Sequence, residues 1–319
     1  MRDDTWGAAL QAIQATVRIP SNLPTIVRGS WLGTFTPDTI VRALAIPGYS
    51  PECLVKAAGL PLQEGGCSSQ YLLTAVDILG VKASSLILAI NCICELVLDS
   101  GPAGRVWTPL FKDMMAEIEI GHHLGFHADV IGTEQGMLVG FARLGGLAAL
   151  LGSHPAEFSD WYLATQGKSS SKEAIAHFGC EPYQVSALLL QHIGFGAEIA
   201  MSAAVTLGHL HPAVVEAKPS LDLWNTTYHW LHALKAGERA PRNDIARESL
   251  PNIARFFNEE PIPVHLQALL DAVHQVRTGE SSWTWHLPRD SYEETAQAIV
   301  YKVKSKPYGS TWSRGLATR

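Results

Sequence analysis

The densest gathering of chemically able side chains is the stretch GHHLGFHAD at 121–129, where His122, His123, His127 and Asp129 fall within eight residues. Imidazoles four apart share one face of a helix, so His123 and His127 could hold a transition metal as the paired histidines of a zinc-protease helix do. That helix needs a glutamate directly after its first histidine, whereas Leu124 follows His123, and Gly125 weakens a rigid ligand frame. The competing use of the same residues is electrostatic, with histidines near a helix C-terminus lying against the terminal carbonyl dipoles. His209 and His211 in GHLHP stand two apart in a turn and read as solvated, while Cys92 and Cys94 stand two apart in an apolar helix and point apart. No C-x-x-C pair, no G-x-S-x-G nucleophile elbow and no strand-preceded phosphate loop is present.

The elements that must carry these residues are helices. Thr36-Pro37-Asp38 and Ser50-Pro51-Glu52 each set a capping hydroxyl before a first-turn proline and an acid. Leu72, Leu73, Ala75, Val76 and Leu79 recur at helical spacing and meet Gly80, which can take the left-handed conformation that ends a helix. The spacing predicts further helices over 83–98, 107–125, 133–152, 155–165, 170–178, 181–193, 196–207, 220–236, 243–257, 263–277 and 291–304. Ser170 with Glu173 and Ser291 with Glu294 have the spacing of capping boxes. No alternation of period two runs long enough to need a sheet, so the expected class is all-α.

Composition narrows the function. The 319 residues are 47% hydrophobic and carry a net charge of −6, which supports a large core and supplies no basic field for nucleic acid or anionic lipid. Five scattered cysteines suit a reducing interior, and the acidic start MRDDTWGAAL lacks the order of a signal peptide, so a cytoplasmic location is expected. The apolar runs 83–98 and 137–152 fall short of a bilayer span of about 18–20 residues and read as core helices. The turn-rich segment 277–291 carries Trp283 and Trp285, which either anchor a partner or fold back on the last helix. From Tyr301 onward Lys302, Lys304, Lys306, Arg314 and Arg319 meet no acid, a tail that could touch phosphate or simply be solvated.

Read together, several stretches resemble the HDOD domain, a bacterial helical regulatory module related to the HD-type metal phosphohydrolases. They are IPSNLPTIV at 19–27, IVRALAIPGYSPECLVKAAG at 40–59, YLLTAVDILGV at 71–81 and EAIAHFGCEPYQVSALLLQHIGFGAEIAMSA at 173–203. The resemblance implies an HD-like multi-helix bundle over 19–216, preceded by a lead helix in 1–18 and followed by a C-terminal helical extension, 217–319, with the basic tail. Where the family has Asn-Ser after its second helix, this chain has Gly59-Leu60.

On that frame VGFARLGGLAAL occupies the segment that in catalytic relatives carries the His-Asp pair, with Gly140 and Gly146 on its glycines and Arg143-Leu144 on the pair. A guanidinium has no lone pair for a metal and leucine has no ligand atom. The helix that supplies an upstream histidine reads PLFKDMMAE, with Lys112 or Asp113 near that place, and a further family histidine position is Pro182. The resemblance therefore implies a noncatalytic signalling scaffold with no cofactor, whose partner is another protein. Arg143 is the candidate contact for an anionic small ligand, or else pairs with a nearby Asp or Glu. The competing expectations are a metal phosphohydrolase rearranged around His122, His123, His127 and Asp129, and a nucleotide or nucleic-acid binder using the tail and tryptophans.

Overall fold

The computed structural model describes residues 4–44, 50–61, 67–102, 104–165, 170–208, 219–257 and 261–279. Among the described residues every regular element is α-helical and there is no strand. In chain order the helices are α1 (Thr5–Thr16), α2 (Leu23–Trp31), α3 (Pro37–Leu44), α4 (Glu52–Ala57), α5 (Ser69–Leu79), α6 (Val81–Asp99), α7 (Gly104–His127) and α8 (Thr133–Ser153). They continue with α9 (Pro155–Thr165), α10 (Ser171–Phe178), α11 (Pro182–Ile193), α12 (Ala197–Leu207), α13 (Pro219–Ala236), α14 (Asp244–Glu248), α15 (Pro251–Phe256) and α16 (Val264–Arg277). The all-α expectation holds; the segment 291–304, with its capping box, lies outside the described residues.

Local chemistry sets the boundaries. The Ser170 hydroxyl accepts from the Glu173 N–H while the Glu173 carboxylate accepts from the Ser170 N–H, closing the expected capping box at α10. Ser50 behaves differently: its hydroxyl donates to Glu95 Oε1 at 2.8 Å, and α4 starts from Pro51 with no side-chain cap. The single helix expected over 243–257 is two, because Pro251 disfavours helical geometry at Leu250 and starts α15 afresh. Gly80 has positive φ but is not in the left-handed helical well. At φ 81° and ψ 155° it occupies a region open essentially to glycine alone, and α6 follows α5 without a loop.

α8 is the central element, packed against α7, α11, α6 and α1. Among the described residues its pairing with α7 is the most extensive, and at its glycines the two backbones meet directly. Gly121 and Gly125 on α7 face Gly136 and Gly132, and a Cβ added to Gly121, Gly125 or Gly136 would collide with the carbonyl opposite. Gly140, one turn on, abuts the Glu117 carbonyl, and Gly146 abuts Ser186 of α11. Small residues four apart thus let two helices approach more closely than side chains allow.

Two cores result. The larger joins α1 to α12 around Trp107, Phe141, Phe158 and Trp161, and includes Trp224 from α13. The lead helix belongs to it, burying Ala9, Ala12 and Ile13. The smaller gathers the C-terminal half of α7 with α13, α15 and α16 around Trp230, Leu231, Phe257 and Leu269, and Trp230 Nε1 donates to Ala246 O at 2.8 Å to tie α14 in place. α6 and α8 have the length and apolarity to cross a membrane, but both are mostly buried inside the protein.

The glycine seam gives a direct test. Helix propensity alone favours Gly136→Ala by about 1 kcal/mol. A methyl at that backbone contact is instead expected to cost about 2–3 kcal/mol through overpacking, measured by urea unfolding.

Candidate functional site

Asp113 and Glu117 are four residues apart on one face of α7, and the seam brings α8 against that face. Gly140 touches the Glu117 backbone, so Arg143, three residues further, reaches both carboxylates. Its Nη2 donates to Glu117 Oε1 at 2.5 Å and to Asp113 Oδ2 at 3.4 Å. From the last turn of α13, Lys235 Nζ donates to Glu117 Oε1 at 2.8 Å and to Asp113 Oδ1. Each acid is shared by both cations.

The two acids are not equivalent. Glu117 is 1% exposed and lies beneath the cations, while Asp113 is 37% exposed and covers them from the solvent side. Arg143 and Lys235 are exposed by 30% and 25%. Burial pushes the Glu117 carboxyl up, but Arg143 and Lys235 outweigh it and hold it below its ordinary range. Three neutral groups frame the cluster. Tyr228 and His232 share the Lys235 face of α13, with ring centroids 4.3 Å apart, and Tyr162 approaches from α9. Burial lowers His232 to about 4, against the pull of Glu117, so it is neutral near pH 7. Arg143 Nε is sealed from water and has no hydrogen-bond partner.

Arg143 therefore makes the ion pair that was one of its two expected uses. Leu144 is buried in the main core, and Pro182 is the first residue of α11, where its carbonyl accepts from Ser186 Oγ at 3.1 Å. Of the two residues near the upstream position, Asp113 joins the cluster. The histidines near the end of α7 are neighbours without forming a ligand set. His122 is buried with its ring 5.3 Å from that of His123 and edge-on to it, His123 lies 3.9 Å from Glu119, His127 packs edge-on to Phe126, and Asp129 is exposed in the following turn. Among the described residues no three His, Cys, Asp or Glu side chains gather as a metal site would require. Trp283, Trp285, His209, His211 and the basic tail lie outside the described residues.

Glu117, Lys235, Tyr228, His232 and Tyr162 were not singled out from sequence. One signal was available, the carboxylate of Glu117 inside the apolar run MMAEIEI, four residues after Asp113. Lys235 carried none, being 118 residues from Glu117. No family model matches the chain, and comparison with curated proteins and with solved structures yields no match.

The cluster predicts strong thermodynamic coupling. Arg143→Met leaves a buried carboxylate with one cation fewer and should destabilise the protein by about 3 kcal/mol, whereas Arg143→Met combined with Glu117→Met should cost less than either single change. Urea unfolding of the double-mutant cycle measures both.

Acid should weaken the fold through its neutral histidines. Burial holds His122 well below the ordinary 6.5, and burial with His123 and His265 lowers His127 to about 4, close to the value of His232. Their unfolded forms take up protons first as pH falls, so the contribution of His127 and His232 is full above about 6.5 and lost between there and about 4, and His122 adds to the loss in the same direction. His127→Gln should flatten the fall in stability between pH 6.5 and 4, as read from urea midpoints.

Proposed function

We propose that this protein is a noncatalytic regulatory scaffold of the HDOD kind, acting in the cytoplasm of a bacterial cell through a protein partner in signal transduction. The observation that carries the reading is the state of Arg143. At the position that the resemblance assigns to a metal-binding His-Asp pair, a guanidinium is held by Glu117 and Asp113, and the adjoining Leu144 is core. A site filled in this way sets two cations against an incoming metal and has both carboxylates already engaged by them, which works against holding a metal and generating a bound hydroxide on it. What remains of such a cleft is a helical surface of α7, α8, α9 and α13, suited to recognition.

Protein purified without chelators is expected to carry substoichiometric iron, manganese and zinc, and to release no phosphate from simple phosphomonoesters when those metals are added. Stoichiometric metal that is lost in His123→Ala or His127→Ala, with accompanying hydrolysis, would replace this reading by that of a rearranged phosphohydrolase.

A further inference from the structure

We infer that the Arg143–Lys235 pair is a binding site for a singly charged oxyanion, a carboxylate or a phosphodiester group, and that Asp113 is its built-in competitor. The inference deepens the noncatalytic reading, since an anion held there without a metal is bound and not hydrolysed.

The argument starts from the inequality of the two acids. Glu117 is buried under both cations and fixes them from below. Asp113 meets the same cations from the solvent side, with its longer contact, 3.4 Å, to Arg143. A half-buried carboxylate that spans an arginine and a lysine does what a ligand carboxylate would do, and when it rotates into water both cations keep Glu117 as a partner. Glu117 cannot, because withdrawing its pairing strands a charge in the interior.

Charge accounting selects the ligand. Two acids and two bases sum to zero while His232 is neutral. With Asp113 turned out, Arg143, Lys235 and Glu117 leave one net positive charge, which one negative charge balances. The group that fits is therefore a monoanion with two acceptor oxygens, one for each cation. Tyr228 and Tyr162 stand beside the cations, and burial keeps both phenols protonated, so they add hydroxyl groups and no competing charge.

A tethered competitor weakens binding by its effective concentration, of the order of millimolar for a short flexible link. Acetate and dimethyl phosphate serve as separate probes of the carboxylate and the phosphodiester, titrated at constant ionic strength against chloride. Binding is followed through the Arg143 Nε–H signal in nitrogen-15 spectra. Wild type should bind weakly, Asp113→Asn about tenfold more tightly or better, and Asp113→Asn combined with Lys235→Met should lose the gain. Circular dichroism of each variant checks the fold, and Asp113→Asn is an isosteric change at the more exposed of the two acids, so the central comparison does not hang on a fully buried position.

Saturation by acetate alone, by dimethyl phosphate alone or by both supports the site and identifies its ligand. Equal affinities of wild type and Asp113→Asn, binding that survives in the double variant, or a response reproduced by chloride would overturn it. Those results would leave the noncatalytic reading standing. Conversely, metal-dependent release of methanol from dimethyl phosphate by the wild type would overturn the noncatalytic reading and leave anion binding intact.

Discussion

The contact on which the molecule depends is made between the main chains of α7 and α8. Side chains ordinarily hold packed helices about 8–10 Å apart. Here the glycines at 121 and 125 meet those at 132 and 136, and Gly140 meets the carbonyl of Glu117, so carbonyl oxygens fill the space that methyl groups would take. Two consequences follow from this one approach. α8 becomes a buried axle on which α1, α6 and α11 can pack, and the acidic face of α7 comes within reach of the one cation that α8 carries.

That cation explains why a carboxylate survives in the core. A lone buried Glu117 would be forced toward its neutral form, and the interior would gain little from keeping it. Arg143 and Lys235 reverse the balance from two helices distant in sequence, which makes the cluster a device of specificity more than of stability. Only one relative placement of α7, α8 and α13 lets each acid meet both bases. Hydrophobic replacements of similar volume could fill the same space, but they would accept many alignments.

Much of the fold was legible because its signals are local. The Ser170–Glu173 box closes as read, and most helices between 81 and 207 begin and end within a few residues of their apolar periodicity. Where a local signal has two uses, reading stops. The Ser50 hydroxyl serves Glu95 and not its own helix, and the break before Pro251 was hidden by apolar spacing that continues across it. The site was half legible. Arg143 stood out as a lone charge in an apolar run, but Lys235, which shares its two carboxylates, is brought beside it only by folding. Gly125 was read as a weakness in a ligand helix, whereas its spacing from Gly121 is what lets α8 in. The crowding of His122, His123 and His127 in sequence makes them neighbours on α7, but among the described residues it does not gather three ligand side chains on one point.

The enclosure of α6 and α8 bears on how the chain behaves when it is damaged. Both are apolar along lengths that would suit a lipid interior, and both are shielded only by the helices around them. Once those neighbours detach, two long adhesive surfaces are laid bare together, and coalescence with other opened chains outruns orderly return. Heat inactivation is then governed by how slowly the shell opens, and the working lifetime of the protein becomes a matter of rate rather than of equilibrium.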